Sequence, residues 1–560
     1  MMKKILATIM VLAATLFGYY IIKTYPHRIN ILFMKSKMEE RFQEAVLGVY
    51  DREEKIDIRK VKKITHYTIR LNDDDNWRID SNHIQNLHDT IPVMLTVEMW
   101  DPRGLTKTSE GRNNKNVKQF FSLVITNRKN IYIRWNPEME VPVNLYPWNN
   151  RPLPYIAAFR EFAQILKEIN PEVKMVYSPA GFAGALENYP GDDVVDFASI
   201  TLNSKAENHL KTKEHKDLGS QITRKLHRLR FINKPILIIT SDNAGDSSHH
   251  DELIKVAIKK IQENRDIIYS TENFKRPSSQ WEGDLDNLKI GLYDPQGELV
   301  HENAVNTEHL FISFKQIESG SYIRDMEEVI ARNHDLIISV EPAWWNEEKD
   351  KNILNRIKNG ELDKYIEKFY QSIPATNRNI YLRFAHEMEI PITRYPWQSA
   401  DPLLYIEAFR YFMQYDHGKD LNIYKIWGPA GDRGSLDWWP GNDVVDFISI
   451  AIYGLPDKNI SDPNKQESFS KILNRKMFRF RLIDKPIFIT EFGVKGEEEF
   501  QTHWLREAAY IIKQHPRIRG ISYFNYTDSP EVWGDISPPQ WTISKNSFSE
   551  FIRILNTPLK

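Results

Sequence analysis

Ile380-Tyr381-Leu382-Arg383-Phe384-Ala385-His386-Glu387-Met388-Glu389-Ile390-Pro391, followed by Tyr395-Pro396-Trp397, is the stretch from which the chain can be read outward. Its first five residues are aliphatic and aromatic, apart from one arginine, and too few for a helix, so they suit a buried strand. His386 and Glu387 fall where that strand must end, ahead of Pro391. A second version lies earlier: Ile131-Tyr132-Ile133-Arg134-Trp135-Asn136-Pro137-Glu138-Met139-Glu140-Val141-Pro142, leading to Tyr146-Pro147-Trp148. The protein is therefore read as an internal duplication.

Around the later copy, strand-like runs recur at 289–293, 309–314, 336–340, 380–384, 423–427, 444–452, 486–490 and 518–524, with helical patterns such as 405–412 between them. Eight strands alternating with helices call for a parallel barrel whose carboxyl strand ends form a mouth. Glu341 ends the third run, Glu387 the fourth, Tyr453 the sixth, Glu491 the seventh and Asn525-Tyr526 the eighth. In the first half, Leu47-Gly48-Val49-Tyr50-Asp51 matches Ile290-Gly291-Leu292-Tyr293-Asp294, so each is taken as the first strand of a barrel, with a short helix at 38–44 and a second strand at 66–71. Further on, 173–179 matches 423–429, 189–197 matches 439–447, and 234–236 matches 485–487. The expected architecture is α/β: two tandem (β/α)8 TIM barrels, at 41–275 and 287–560, joined by a polar linker at 273–286. The 560 residues accommodate two barrels of about 250 residues each.

Net charge is −1, which gives no electrostatic reason to expect nucleic acid. The chain has no cysteine, which excludes disulfides, thiolate metal sites and a cysteine nucleophile. Lys3-Lys4 precede an apolar run at 5–22 closed by Lys23, long enough to span a bilayer. A retained transmembrane signal-anchor is the expectation, with both barrels on the extracytoplasmic side. A signal peptide cleaved near Ala13-Ala14, releasing a secreted protein, is the alternative. His249-His250 read as solvated in a polar loop and 225–230 as a solvated basic helix face; no phosphate loop is found, and no metal or cofactor is expected.

Paired carboxyl groups at facing strand ends suit glycoside cleavage with retention, one attacking the anomeric carbon and one protonating the leaving oxygen, about 5 Å apart. Ends of the fourth and seventh strands face each other across such a mouth, which selects Glu387 and Glu491. Glu491 is expected to stay ionised, held by donors such as Tyr453; Glu387 is expected to be raised by that charge and to act first as acid, then as base.

Leu382-Arg383-Phe384-Ala385-His386-Glu387-Met388 with Tyr395-Pro396-Trp397 resembles the acid/base motif of glycoside hydrolase family 26, the β-mannanase and lichenase family of clan A. Val340-Glu341-Pro342-Ala343-Trp344, Trp439-Pro440-Gly441-Asn442-Asp443-Val444-Val445-Asp446 and Ile489-Thr490-Glu491-Phe492-Gly493 resemble further segments, in the family's order. The resemblance implies Glu387 as acid/base, Glu491 as nucleophile, and His386, Trp397 and Tyr453 lining the cleft. Arg383, Glu341, Trp344 and Trp427, at or beside the same strand ends, complete the expected substrate-binding set. Glu389 departs from the family, which commonly has Asn there, so the sugar preference stays open.

The first half keeps Glu138 but has Pro137 in place of His386, and Thr240 or Ser241 in place of Glu491, with Asp242 close by. A double displacement cannot run without the attacking carboxylate, so this copy is expected to be catalytically inactive. Its Trp100, Tyr146 and Trp148 leave open a glycan-holding or a purely structural role. The functional expectation is a membrane-anchored retaining endo-β-glycanase acting on an extracytoplasmic polysaccharide (β-glucan, β-mannan or exopolysaccharide). The alternative is a non-catalytic polysaccharide binder of a surface or secretion assembly.

Overall fold

The computed structural model describes residues 41–50, 62–71, 92–142, 144–202, 218–232, 234–240, 247–263, 288–344, 349–391, 394–454, 467–528 and 537–557. The chain divides into two compact units, Met1–Ser270 and Thr271–Lys560. The apolar run 5–22 and the linker 273–286 lie outside the described residues. Among those described, no helix is long and apolar enough to cross a membrane.

Among the described residues of the first unit, seven strands close a barrel in chain order: β1 (Arg41–Tyr50), β2 (Lys62–Leu71), β3 (Val93–Met99), β4 (Ile131–Trp135), β5 (Lys174–Tyr177), β6 (Phe197–Leu202) and β7 (Ile236–Thr240). Strands β2 to β7 run parallel, but β1 is antiparallel to both β2 and β7. This corrects the expectation of eight parallel strands here. The physical reason is connection length. Only 51–61 join β1 to β2, too short for a crossover, which needs a dozen residues or more. The helix expected at 38–44 is also corrected, because 41–44 belong to β1.

The second unit is the expected closed barrel of eight parallel strands: β8 (Lys289–Tyr293), β9 (Thr307–Ser313), β10 (Asp335–Glu341), β11 (Ile380–Phe384), β12 (Ile423–Trp427), β13 (Phe447–Gly454), β14 (Ile487–Val494) and β15 (Ile518–Phe524). Period-two alternation sorts its side chains. Tyr381 of β11 points inward to a layer with Ile337, Ile426 and Phe488. Phe384 points outward and stacks on Phe412 of the helix Pro402–Met413, ring centres 4.2 Å apart. Burying each such aromatic contributes roughly 2–3 kcal/mol, and a strand covered on both faces reads as a continuous apolar run. Arg383, two residues beyond Tyr381, must therefore point inward as well.

Two smaller readings change. His249 and His250 lie in the helix Ser247–Glu263 and not in a loop. The basic stretch after Lys225 is not a solvated face. Arg230 is buried, donating from Nη1 to the His227 carbonyl at 3.1 Å and lying over the Phe231 ring, while Lys225 Nζ reaches the Thr201 carbonyl at 3.0 Å.

Candidate active site

Above the apolar layer of the second barrel, inward positions of five strands carry His309, Ser339, Arg383, Ser449 and Thr490, all buried. Arg383 ties them together. Its Nε donates to Ser339 Oγ at 2.7 Å and its Nη1 to Thr490 Oγ1 at 3.0 Å. Ser339 in turn meets His309 Nε2 at 2.7 Å, and Thr490 meets Ser449 at 2.5 Å. The remaining guanidinium nitrogen, Nη2, donates to Glu491 Oε1 at 2.5 Å. Glu491 Oε2 accepts from the Tyr453 hydroxyl at 3.0 Å. Burial, followed by the charge of Glu491, holds the Tyr453 phenol well above its ordinary range, so it remains a donor. A carboxylate that accepts from a guanidinium and a phenol is fixed in orientation.

Arg383 can occupy this position because residue 428 is glycine. A Cβ there would lie 2.5 Å from Arg383 Cδ and 2.8 Å from its Cγ.

Beyond β11 the backbone turns through left-handed conformations at Ala385 (φ 45°) and Glu387 (φ 55°), with the Glu387 N–H donating to the Gly428 carbonyl at 2.7 Å. Each left-handed non-glycine residue costs roughly 1–2 kcal/mol, and such strain concentrates at functional sites. Burial, followed by the nearby charge of Glu491, pushes the Glu387 carboxyl up to about 8, against the opposing pull of Arg383. Burial thus outweighs the neighbouring charge that sequence reasoning put first. His386 is buried and held well below its ordinary value by burial and by Arg383, so its imidazole is neutral. Its Nε2 lies 3.9 Å from Glu341 Oε1. Facing ends of β11 and β14 therefore present a carboxylate locked by donors and a carboxyl held protonated at neutral pH.

Several residues expected to touch substrate stand elsewhere. Trp397 is fully buried; it stacks on Tyr395 at 4.6 Å and donates from Nε1 to the His386 carbonyl at 2.7 Å, so it offers no face to a sugar. Trp427 is also fully buried, packed edge-on against Trp439 and Phe480 outside the barrel. The end of a strand carries an outward residue as often as an inward one, and Trp427 is the outward kind. Trp344 rests against Phe314 and Tyr365. Arg383 engages Glu491 from beneath and is 1% exposed. Glu389, the departure from the family motif, is buried and bonded into the loop that follows β12. Its Oε1 accepts from the Gly431 and Asp432 N–H groups and the Ser435 hydroxyl at 2.8 to 3.0 Å, and its Oε2 from the Ala430 N–H at 3.2 Å, so it shapes a loop. Ser339, Ser449, Thr490, His309 and Gly428 were not singled out from the sequence. Their signal was period-two spacing from the apolar layer, legible only once the strand registers are known.

The first barrel repeats this frame. Glu138 is left-handed (φ 60°) with its N–H on the Ser178 carbonyl at 2.9 Å, and Tyr146 stacks on Trp148 at 4.7 Å. Strand pairing sets Thr96 beside Arg134 as Ser339 is beside Arg383, which makes Glu98 the counterpart of Glu341. Glu98 Oε2, however, is held by its own neighbours, Arg70 Nε at 3.0 Å and Trp100 Nε1 at 2.9 Å. The Trp100 ring packs edge-on against Tyr146 and Trp148, whereas in the other barrel His386 meets Tyr395 and Trp397 at a tilt. Ser178 replaces Gly428 and takes Arg134 Nε at 2.9 Å, while the terminal nitrogens reach, among the described residues, Thr96 and Thr201 at 3.5 and 3.3 Å. Strands β7 and β14 start in equivalent register, Ile236 beside Ala198 and Ile487 beside Ile448, but a register shift in β14 sets Glu491 beside Ala451, whereas β7 has none and Thr240 pairs with Leu202. Ser241 and Asp242 lie outside the described residues.

No family model matches the chain. A β-1,3-xylanase of a Vibrio species is 23% identical over 207 residues, covering 33% of this chain and 43% of that protein. Endoglucanase H of Acetivibrio thermocellus is 26% identical over 217 residues, covering 37% of this chain and 23% of that protein. The matches thus span less than half the length of these curated relatives. Among solved structures, a GH26 β-mannanase from Bacteroides ovatus aligns over 49% of this chain and 92% of its own, at 13% identity and a TM-score of 0.36.

Proposed function

We propose that the protein is a retaining endo-β-glycanase, a glycoside hydrolase resembling family 26, that works through its C-terminal barrel. One observation carries the reading: at facing strand ends, Glu491 is locked by Arg383 and Tyr453 while Glu387 is held protonated by burial and by the charge of Glu491. The curated relatives named above, a xylanase and an endoglucanase, support the same class. In the first step Glu387 gives its proton to the glycosidic oxygen as a Glu491 oxygen bonds to the anomeric carbon and the C–O bond breaks. In the second, Glu387, now a carboxylate, takes a proton from water; the water oxygen bonds to the anomeric carbon and Glu491 is released. Neutral His386 and protonated Tyr453 would line this centre, with Glu341 behind His386. Arg383 would position the nucleophile.

The N-terminal barrel is read as inactive, because the sequence match sets Thr240 or Ser241 against the nucleophile and Pro137 against His386. The apolar run 5–22 is read as a membrane anchor that leaves both barrels extracytoplasmic, where a polysaccharide would be met. Release of reducing sugar from β-glucan, β-mannan and β-xylan panels by the full chain tests the activity. Glu387→Ala and Glu491→Ala should each abolish it, and azide should restore turnover of an activated aryl glycoside by giving the β-glycosyl azide in the first variant and the α-azide in the second. Wild-type rates in either variant would end the assignment.

A further inference from the structure

The platform made by Tyr395 and Trp397 carries one more side chain at the mouth. Arg394 is partly exposed, and its guanidinium carbon lies 4.7 Å from the centre of the Tyr395 ring. The platform is rigid. Tyr395 is stacked on Trp397, its N–H donates to Gln398 Oε1 at 3.0 Å, and Gln398 Nε2 donates to the Glu387 carbonyl at 3.2 Å. Arg394 is thereby tied to the strand end that holds Glu387, near enough for its charge to act on Glu387 and His386. Arg383, a second cation near Glu387, is committed to Glu491. Among the described residues no carboxylate pairs with Arg394.

The twin barrel supplies an internal comparison. It keeps the same Tyr-Pro-Trp platform, but the residue preceding Tyr146 is Leu145, 53% exposed. The exposed cation therefore accompanies the mouth that retains the carboxyl pair. A guanidinium laid on an aromatic ring keeps its N–H edge free in the plane, which matches the two oxygens of a carboxylate; a lysine cannot reproduce that fork.

We propose that Arg394 is a specificity-determining residue that binds the carboxylate of an acidic sugar, so that the glycan accepted by this mouth bears uronic acid next to the cleaved bond. This rests on reading the C-terminal mouth as a hydrolase site, but its test does not need turnover. In the full chain carrying Glu387→Gln, binding is measured by calorimetry to glucuronate-bearing β-glycan oligosaccharides and to the same oligosaccharides after chemical reduction of their carboxyl groups. The acidic form should bind at least tenfold tighter than its reduced twin, and adding Arg394→Gln should erase that difference, with Arg394→Lys restoring only part. Equal affinity for both forms, a preference unmoved by Arg394→Gln, or no binding to either form would overturn the proposal. Where the wild-type chain cleaves an oligosaccharide, kcat and KM on both forms add a second reading. The effect of Arg394→Gln should fall on KM for the acidic form, whereas a residue that merely tunes Glu387 would shift the pH profile equally for both. A chain that binds the acidic form selectively yet hydrolyses no glycan would defeat the hydrolase reading and leave this one standing.

Discussion

Glu491→Gln isolates the interaction that separates the two carboxyl groups. The amide keeps the size of the side chain, its oxygen can still accept from Arg383, and its NH2 can donate to the Tyr453 oxygen, so the main change is the loss of one negative charge. Raising Glu387 from 4.5 to about 8 corresponds to roughly 5 kcal/mol at about 1.4 kcal/mol per pH unit. A unit charge about 5 Å away, the separation retention requires, contributes at most about 3 kcal/mol at an effective dielectric near 20. Burial is the larger cause, so Glu491→Gln should lower the Glu387 midpoint by about one to two pH units, to roughly 6–7. NMR titration of glutamate carboxyl carbons in the wild-type and Glu491→Gln chains, with Glu387→Gln assigning the signal, measures it directly. A wild-type midpoint near 4.5, or one unmoved by Glu491→Gln, would refute the claim that the two groups share one mouth. The sign also fixes the rate profile. The general acid must be protonated, so the wild-type rate should fall as pH rises through about 8. Linkage runs the same way: between about 4.5 and 8 the folded chain holds a proton that the unfolded chain has lost, so this group's contribution to stability declines as pH rises across that window. Glu387→Gln should remove that part of the slope in chemical unfolding followed from pH 4 to 9.

Four further outcomes are expected. Gly428→Ala should drive Arg383 off Glu491, because the added methyl meets the Arg383 stem at 2.5 Å; kcat should fall at least about 100-fold for a stability loss of about 1–3 kcal/mol, and wild-type kcat would refute the clearance argument. Arg383→Met strands Glu491 with no cation beneath it, so thermal unfolding should report a loss of about 3–5 kcal/mol together with inactivity, and a variant as stable as wild type would count against the buried pair. Tyr453→Phe removes one hydrogen bond to a charged acceptor and should cost about 1.5–3 kcal/mol in kcat/KM, some 10- to 100-fold, with the fold unchanged by circular dichroism. Glu389→Ala leaves the N–H groups of residues 430–432 without their acceptor and should lower the unfolding midpoint; a shift in sugar preference at unchanged stability would instead make Glu389 a substrate contact.

Much of the architecture was legible in the chain. Ile380–Phe384, Ile423–Trp427 and Ile518–Phe524 have the bounds their apolar runs suggested, because a strand covered on both faces needs an unbroken apolar stretch and little else. The duplication was legible for the same local reason, and the bond from Tyr453 to Glu491 is present. Arg383 was misplaced because sequence spacing puts it at a strand end without saying what stands across the barrel. Trp397 and Trp427 were misplaced because an aromatic near a mouth can face the sugar, the inter-helix space or the backbone beneath. Glu389 looked like a subsite change, yet its partners lie 41 to 46 residues away in a loop whose path the motif does not reveal.

Sequence alone determined the strand runs, the repeat and the two candidate carboxyl groups, since apolar periodicity and motif order are written in neighbouring residues. Tertiary structure alone decided that β1 turns antiparallel, that Arg383 grips Glu491 through the gap left by Gly428, and that Trp100 packs edge-on against the Tyr146 ring of the twin barrel. These depend on closure and register: which side chains meet across a barrel is fixed by how strands slide and seal against one another, and no local pattern encodes that.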